Sequence, residues 1–176
     1  ANIGEVTALK GSAQLSRQAE TINVNKGLKI LENDLLQTAP KSKAQVVLND
    51  DTVITIGPKS EYLFEQFQEG DNSAVTMQLK RGFFKAVTGK IGKIAPQRFK
   101  IKTKAATIGI RGTAWSGKIA QLGEESLFTL FSGAIVVANE GGSELLTIAQ
   151  QSVIVTSFSI PPSKPFVLAE EQLIDA

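Results

Sequence analysis

Short runs of β-forming residues, separated by Gly, Pro or Asn-Asp, limit what this chain can fold into more than any other feature. Residues 44–48 form one such run, residues 53–56 form the next, and the polar stretch 49–52 (Asn-Asp-Asp-Thr) lies between them. Asn and Asp adopt left-handed backbone angles more readily than other residues with a side chain, so they can replace glycine in a tight turn. Residues 44–56 are therefore predicted to form a β-hairpin, which Gly57-Pro58 ends.

Similar runs recur at intervals of about ten residues, a spacing typical of all-β proteins. Apolar and polar residues alternate within them, as at Val75, Met77 and Leu79, so each strand is expected to turn one face to the core. The predicted strands are residues 5–9, 13–16, 35–38, 73–79, 83–87, 99–103, 113–120, 126–131, 134–138, 144–148 and 152–158. Residues 62–68 and 168–173 are the only segments that could hold a short helix.

A leucine followed closely by a glycine recurs three times, and the glycines are Gly11, Gly82 and Gly133. Each glycine is predicted to mark a kink or bulge between two strands. Their spacing is unequal, which excludes a regular repeat array. We expect an all-β fold, either an irregular β-helix or solenoid-like fold or rolled antiparallel sheets, with a single domain at residues 1–158. A Pro-containing C-terminal tail, residues 159–176, is expected to dock on the domain or to act as a linker.

The chain contains no Cys and no His, which removes thiol nucleophiles, imidazole bases, zinc sites built from these residues and His-containing triads. Glu61, Glu65 and Glu69 would share one face of a helix, but glutamates at that spacing usually form a solvated face. Residues 49–51 and 33–34 offer oxygen ligands, yet fewer than the six to eight that calcium takes, so both are interpreted as turns. We expect no enzyme activity, no metal and no cofactor. No apolar stretch approaches the roughly 20 residues of a membrane-spanning helix.

Charge is unevenly distributed along the chain. Residues 72–123 contain eleven Lys and Arg residues and no Asp or Glu, whereas acidic residues dominate afterwards. One interpretation is a basic face that binds an anionic partner; the other is that these lysines keep strands solvated, with the acidic C-terminal strands neutralising them. The predicted partner-binding residues are Lys80, Arg81, Lys100, Lys102, Lys104 and Arg111. No nucleic-acid-binding signature accompanies them, so nucleic acid is not expected as a partner.

Several segments follow one family pattern. Asp34-Leu35-Leu36-Gln37-Thr38 follows Asn33, residues 42–52 lead into the Asp-rich turn, and Leu79-Lys80-Arg81-Gly82 lies in the middle of the chain. Residues 99–106 and 110–115 together give Phe-Lys-Ile-Lys-Thr, Ala, Ile-Arg-Gly-Thr and Trp. In these segments the chain resembles the FecR-type domain family, from about residue 3 to about residue 155. Asn33 and Asp51 replace two glycines of the pattern, and both residue types can adopt positive φ.

This resemblance implies an all-β module without catalytic residues that is exported to the periplasm. Residues Arg111, Gly112 and Thr113 are expected to form a structural corner, with Arg111 paired to a carboxylate or to backbone carbonyls. The chain begins with Ala-Asn-Ile rather than Met, which fits removal of a signal peptide. The resemblance implies a sensory or protein-interaction role in envelope signalling, with a membrane sensor or another envelope component as partner. The alternative is a module that binds cell-wall polysaccharide or peptidoglycan, for which Tyr62 and Trp115 are the candidate sugar-stacking rings.

Overall fold

The computed structural model describes residues 2–119 and 125–167, and for residues 111–113 it describes the backbone alone. Within these ranges the strands are β1 (Asn2–Lys10), β2 (Ala13–Arg17), β3 (Glu20–Asn23), β4 (Lys29–Leu31), β5 (Asp34–Thr38), β6 (Lys43–Leu48), β7 (Val53–Ile56), β8 (Glu61–Gln68), β9 (Ala74–Arg81), β10 (Phe83–Val87), β11 (Phe99–Lys102), β12 (Thr107–Ile119), β13 (Ser126–Asn139), β14 (Gly142–Leu146), β15 (Gln151–Val155) and β16 (Phe166–Val167). A short helix α1 (Lys90–Ile94) and a 3-10 turn (Pro96–Arg98) connect β10 to β11. The predicted all-β fold is confirmed.

These strands form one mixed sheet of sixteen strands in the described part of the chain. Its main path runs β3-β2-β5-β8-β9-β11-β12-β10-β7-β6-β1-β4, and β13 extends it by pairing with β12, β14 and β15. All described strand pairs are antiparallel except β9 with β11. That parallel pair needs a crossover, since two parallel strands cannot be joined by a tight turn, and β10, α1 and the 3-10 turn are part of it.

The hairpin predicted for residues 44–56 is confirmed as β6 and β7, with Val47 opposite Val53. Asp51 occupies the turn at φ 72°, and Asn33 adopts φ 69°, so both replace glycine as expected. The helix considered for residues 62–68 is wrong, because this segment is strand β8. A register shift between Leu63 and Gln66 adds a residue to β8, so its apolar side chains lose the spacing of two that marks a strand.

Strands β12 and β13 differ most in length from the predicted runs. Strand β12 begins at Thr107 rather than at residue 113, and β13 joins the two predicted runs 126–131 and 134–138. The strands stay paired across Gly133 because register shifts near residues 111–115 of β12 absorb its irregular backbone. The predicted helix at residues 168–173 lies outside the described residues.

All three predicted glycines have positive φ angles, of 76° at Gly11, 96° at Gly82 and 82° at Gly133. Gly11 and Gly82 lie between two strands as predicted, whereas Gly133 is an irregular point within the continuous strand β13. The first two are built from the same parts. The amide after Gly11 donates to Ser42 Oγ at 3.0 Å, and the amide after Gly82 donates to Ser60 Oγ at 2.9 Å. Each of these serines ends a Pro-Lys-Ser sequence, at residues 40–42 and 58–60. This repeated Pro-Lys-Ser sequence, which the leucine–glycine pattern does not include, is the sequence signal for the duplicated corner.

One hydrophobic core fills the inner face of the sheet. Its largest side chains form a chain of aromatic contacts, with ring centroids of Tyr62 and Phe84 at 5.5 Å, Phe84 and Trp115 at 4.9 Å, and Trp115 and Phe128 at 6.4 Å. Such offset and edge-to-face pairs contribute beyond their burial. Because Trp115 is the only tryptophan of the chain and is fully buried, its fluorescence reports on this core.

A buried ion pair supports the N-terminal strands. The carboxylate of Asp34 is 0% exposed and accepts hydrogen bonds from Arg17 Nε at 2.9 Å, Arg17 Nη2 at 2.7 Å and the amide of Leu31 at 2.7 Å. This bidentate geometry compensates for removing the carboxylate from water. The hydrogen bond to Asp34 also raises the pKa of Arg17.

The described part of the C-terminal tail packs on the sheet. Asn139 Nδ2 donates to the carbonyls of Ser157 at 3.0 Å and Ile160 at 2.7 Å. Farther along, the Ser163 amide donates to the carbonyl of Ile154, and β16 pairs with β15. The division of the chain into a domain at residues 1–158 and a tail at 159–176 stays a prediction.

Candidate functional site

The predicted partner-binding lysines of β9 and β11 point away from the core. On β9 the alternating pattern buries Met77 and Leu79 and exposes Lys80. On β11 it buries Phe99 and Ile101, and the lysines between and after them, Lys100 and Lys102, face outward. Because β9 and β11 are neighbours, Lys80, Lys100 and Lys102 share one surface, which we call the basic outer face.

Carboxylates of β8 neutralise part of the predicted set. Lys102 Nζ lies 3.6 Å from Glu65 Oε2, which the register shift in β8 brings into reach. Arg81 has the opposite alternation from Lys80 and pairs with Glu61 at 2.9 Å. Arg81 therefore does not join the basic outer face. For Arg81 and Lys102 the neutralising carboxylates therefore lie in β8, before the basic segment, and not in the acidic C-terminal strands.

Two lysines of the basic outer face are exposed and are not neutralised by a described carboxylate. Lys80 and Lys100 are exposed, and neither forms an ion pair with a carboxylate among the described residues. Lys104 lies exposed in the turn between β11 and β12. For residues 111–113 the structure describes the backbone and not the side chains of Arg111 and Thr113. The predicted structural corner is therefore known only as backbone within β12, with Arg111 opposite Ala134. The predicted roles of all these residues stay predictions.

An apolar surface continues the basic outer face along one row of the sheet. Lys100 lies opposite Gly109 of β12, Gly109 opposite Val136 of β13, and Val136 opposite Leu145 of β14. Leu145 is 55% exposed. A Cβ atom added to Gly109 would meet nothing within 4 Å, so this glycine leaves open space beside Lys100.

This open space is part of a groove of about 550 Å³ between α1 with the 3-10 turn on one side and β12 to β14 on the other. We call it the apolar groove. Its lining residues are Gly92, Lys93, Pro96, Gln97, Gly109, Ile110, Ala134, Ile135, Val136 and Leu145. None of these is acidic, and Lys93 is exposed at the wall that α1 forms. The volume falls within the range of ligand-binding clefts.

The turn between β6 and β7 fixes α1, and so one wall of the groove. Asp50 is 2% exposed; its carbonyl accepts the Lys90 amide at 2.8 Å and its Oδ2 accepts the Ile91 amide at 3.0 Å. The Gly89 amide donates to Thr52 Oγ1 at 3.0 Å. The Asp-rich turn therefore acts as a clamp for the start of α1. The sequence predicts the turn but not this partner, which lies about 40 residues farther along the chain.

The acidic turns considered as calcium sites have structural roles. Asp34 pairs with Arg17, and Asp50 binds backbone amides of its own turn and of α1. Among the residues that the structure describes, no group of three or more acidic side chains is arranged to hold a metal ion.

Both aromatic side chains considered for sugar stacking lie in the core. Tyr62 and Trp115 are 0% exposed, so neither ring face can contact a polysaccharide. Burial raises the pKa of Tyr62 well above its ordinary value, and its hydroxyl contacts Met77 Sδ at 3.3 Å. The Trp115 indole N–H has no hydrogen-bond partner in the part of the chain that the structure describes. Within the described ranges, no helix is long and apolar enough to cross a membrane.

Comparison with known proteins agrees with this structure. The family model described as "FecR protein" matches residues 34–136, more than half of the chain and the whole segment from β5 into β13. The chain therefore belongs to the FecR family, as the resemblance in the sequence indicated. No match is found among curated proteins.

Two crystal structures of a proposed anti-sigma factor from Parabacteroides distasonis are similar to this chain, with TM-scores of 0.63 and 0.64 and 14% sequence identity each. The matches cover 80% of this chain and 62% of the other. This chain thus spans less than two thirds of that protein's length. At this identity the similarity shows a shared fold and nothing finer.

Proposed function

We propose that this chain is a non-enzymatic sensory domain of cell-envelope signalling, which acts in the periplasm and binds a protein partner through its basic outer face. The observation that carries the proposal is the position of Lys80 and Lys100. Both side chains project from the part of the sheet that matches the FecR family, and neither has a carboxylate partner among the described residues. Exposed lysines without partners attract an acidic surface over a distance set by ionic strength.

Two further observations support a regulatory rather than a catalytic role. FecR family membership and the fold shared with a proposed anti-sigma factor agree with signalling. The buried carboxylates of Asp34 and Asp50 are engaged in structural hydrogen bonds, so they are not available as an acid–base pair.

Binding can be tested with charge-reversed variants. The wild-type chain and a Lys80→Glu, Lys100→Glu double variant would be immobilised and exposed to envelope extract, and retained proteins identified by mass spectrometry. Lys26→Glu with Lys43→Glu is the matched control, because it changes the net charge equally at exposed positions outside the basic outer face. We expect one protein that wild type and control retain and the double variant loses. An identical set of retained proteins on all three would contradict the proposed binding face.

Lys102 is left unchanged in this design for a structural reason. A glutamate at this position would face Glu65 in place of the present 3.6 Å ion pair. The resulting like-charge contact would perturb β8 as well as binding, so a loss of binding would be ambiguous.

Location is tested separately. We expect protease added to spheroplasts of the native host to digest the chain while cytoplasmic proteins survive. Protection of the chain until the inner membrane is lysed would contradict a periplasmic location.

A further inference from the structure

We propose that the apolar groove is the peptide-binding site of this domain, and that it takes an acidic segment of the partner protein that presents aliphatic side chains. This inference rests on the proposed function and deepens it by naming the chemistry of the bound segment. It is carried by the shape of the groove, by its lining and by the charges at its rim.

The interior of the groove favours an aliphatic side chain. Gly109 contributes no side chain, while Ala134, Val136 and Leu145 contribute aliphatic surface. Leu145 is 55% exposed, so apolar area remains to be buried by a partner. The open space above Gly109 exists because glycine has no side chain, and a larger residue at this position would reduce it.

The rim favours carboxylates. Lys93 is part of the lining, and Lys100 lies directly opposite Gly109 on the neighbouring strand. Both are exposed, and neither forms an ion pair with a described carboxylate. An aliphatic side chain bound over Gly109 would therefore lie near two lysines, Lys93 and Lys100. A peptide with Asp or Glu next to Leu, Ile or Val supplies the aliphatic side chain for the groove and the carboxylate for these lysines. Complementary charges of this kind determine specificity and association rate more than affinity.

The groove wall is held in place before binding occurs. The clamp between Asp50 and the start of α1 fixes Lys93 relative to β12. The helix lies close to β12 at Gly92, where an added Cβ atom would be 3.4 Å from Ile110 Cδ1. A preformed wall lowers the ordering cost of binding. These contacts distinguish the groove from a surface depression between mobile loops.

The probe is a random peptide library displayed on phage and selected on the full-length chain. We expect the selected peptides to carry Asp or Glu beside an aliphatic residue. Synthetic copies would then be titrated by fluorescence anisotropy against wild type, Gly109→Val and a Lys93→Glu, Lys100→Glu variant. We expect each variant to weaken binding by about tenfold or more, and Lys26→Glu to change it by less than about twofold.

Gly109→Val narrows the groove, and its Cβ meets open space at a position without a left-handed φ. If Gly109→Val fails to fold, Leu145→Glu replaces it in the titration. Leu145 is exposed, and a glutamate at this position should repel the same acidic peptides. Basic or unselective peptides, or binding that neither variant weakens, would overturn the proposal. Binding to phosphatidylglycerol vesicles that Gly109→Val abolishes, without peptide selection, would instead assign the groove to lipid and overturn it as well.

The two proposals fail separately. If the Lys80→Glu, Lys100→Glu variant loses an envelope protein that Gly109→Val retains, the proposed function stands and the groove is not the contact. If neither variant changes the retained proteins while acidic peptides still bind the groove, the groove binds peptides but the proposed envelope partner is wrong.

Discussion

Replacing Gly89 by alanine should break the clamp that holds α1. An ideal Cβ at Gly89 would lie 2.6 Å from the amide nitrogen of Thr52 and 2.7 Å from the carbonyl carbon of Asp51, and closer still to the carbonyl oxygen of Asp50. All three are backbone atoms of one turn, so none can rotate away. The backbone at Gly89 has a negative φ of −95°, so it is the clash with these backbone atoms, and not a left-handed φ, that excludes a side chain.

The expected loss of stability follows from the three hydrogen bonds that must break. Two are between neutral groups, from the Gly89 amide to Thr52 Oγ1 at 3.0 Å and from the Lys90 amide to the Asp50 carbonyl at 2.8 Å. The third joins the Ile91 amide to the Asp50 carboxylate at 3.0 Å. With about 1 kcal/mol for each neutral bond and about 2 kcal/mol for the charged one, Gly89→Ala should lower the free energy of unfolding by about 4 kcal/mol.

Gly109→Ala is the matched control, because it is the same substitution with open space around the new Cβ. Alanine has fewer backbone conformations than glycine in the unfolded chain, so the substitution lowers the entropy lost on folding. The free energy of unfolding of Gly109→Ala should therefore be unchanged or higher by up to about 1 kcal/mol. Urea unfolding followed by Trp115 fluorescence measures both variants, since this tryptophan is fully buried. Equal stabilities for the two variants would refute the clamp.

Two other substitutions test buried polar groups, and a third at a half-exposed ion pair is the control for the first. Arg17→Gln should cost about 3 kcal/mol, because it leaves the fully buried Asp34 carboxylate without its cation, whereas Arg81→Gln at the half-exposed pair with Glu61 should cost less than about 1 kcal/mol. Similar losses for the two would contradict the assigned burial; chemical denaturation measures both. Burial raises the pKa of Tyr62 above 10.0 in the folded chain, so above about pH 10 the unfolded chain releases a proton that the folded chain keeps, and stability falls as pH rises. Tyr62→Phe should lose less stability than wild type between about pH 9 and about pH 11, and identical pH profiles would show that Tyr62 ionises while folded.

The strands of this protein could be predicted because alternation and turn residues are local signals. Residues 44–56 contain a complete hairpin signal, and Phe83–Val87 matches β10 at both ends. Prediction failed at residues 62–68, where the register shift of β8 disturbs the alternation. Prediction also failed for α1, because five residues are too few to show the periodic pattern of a helix. In addition, α1 depends on hydrogen bonds to Asp50, which is distant in sequence.

The candidate site could be predicted only in part, because it combines residues that are distant in sequence. The lysines of β9 and β11 were identified from charge and alternation. The ion pairs of Arg81 with Glu61 and of Lys102 with Glu65 depend on how β8 lies beside β9. The apolar groove requires Gly109 and Leu145 to share a row across three strands, which no local pattern encodes.

Photo-crosslinking in living cells tests the central claim most directly. A photoreactive residue would replace Lys100, beside the groove, or Lys26, an exposed lysine in the loop that joins β3 to β4. If the basic outer face binds a protein in the envelope, illumination produces one discrete cross-linked species from position 100 and none from position 26. The absence of a cross-link at position 100, or the same species from both positions, would contradict the account.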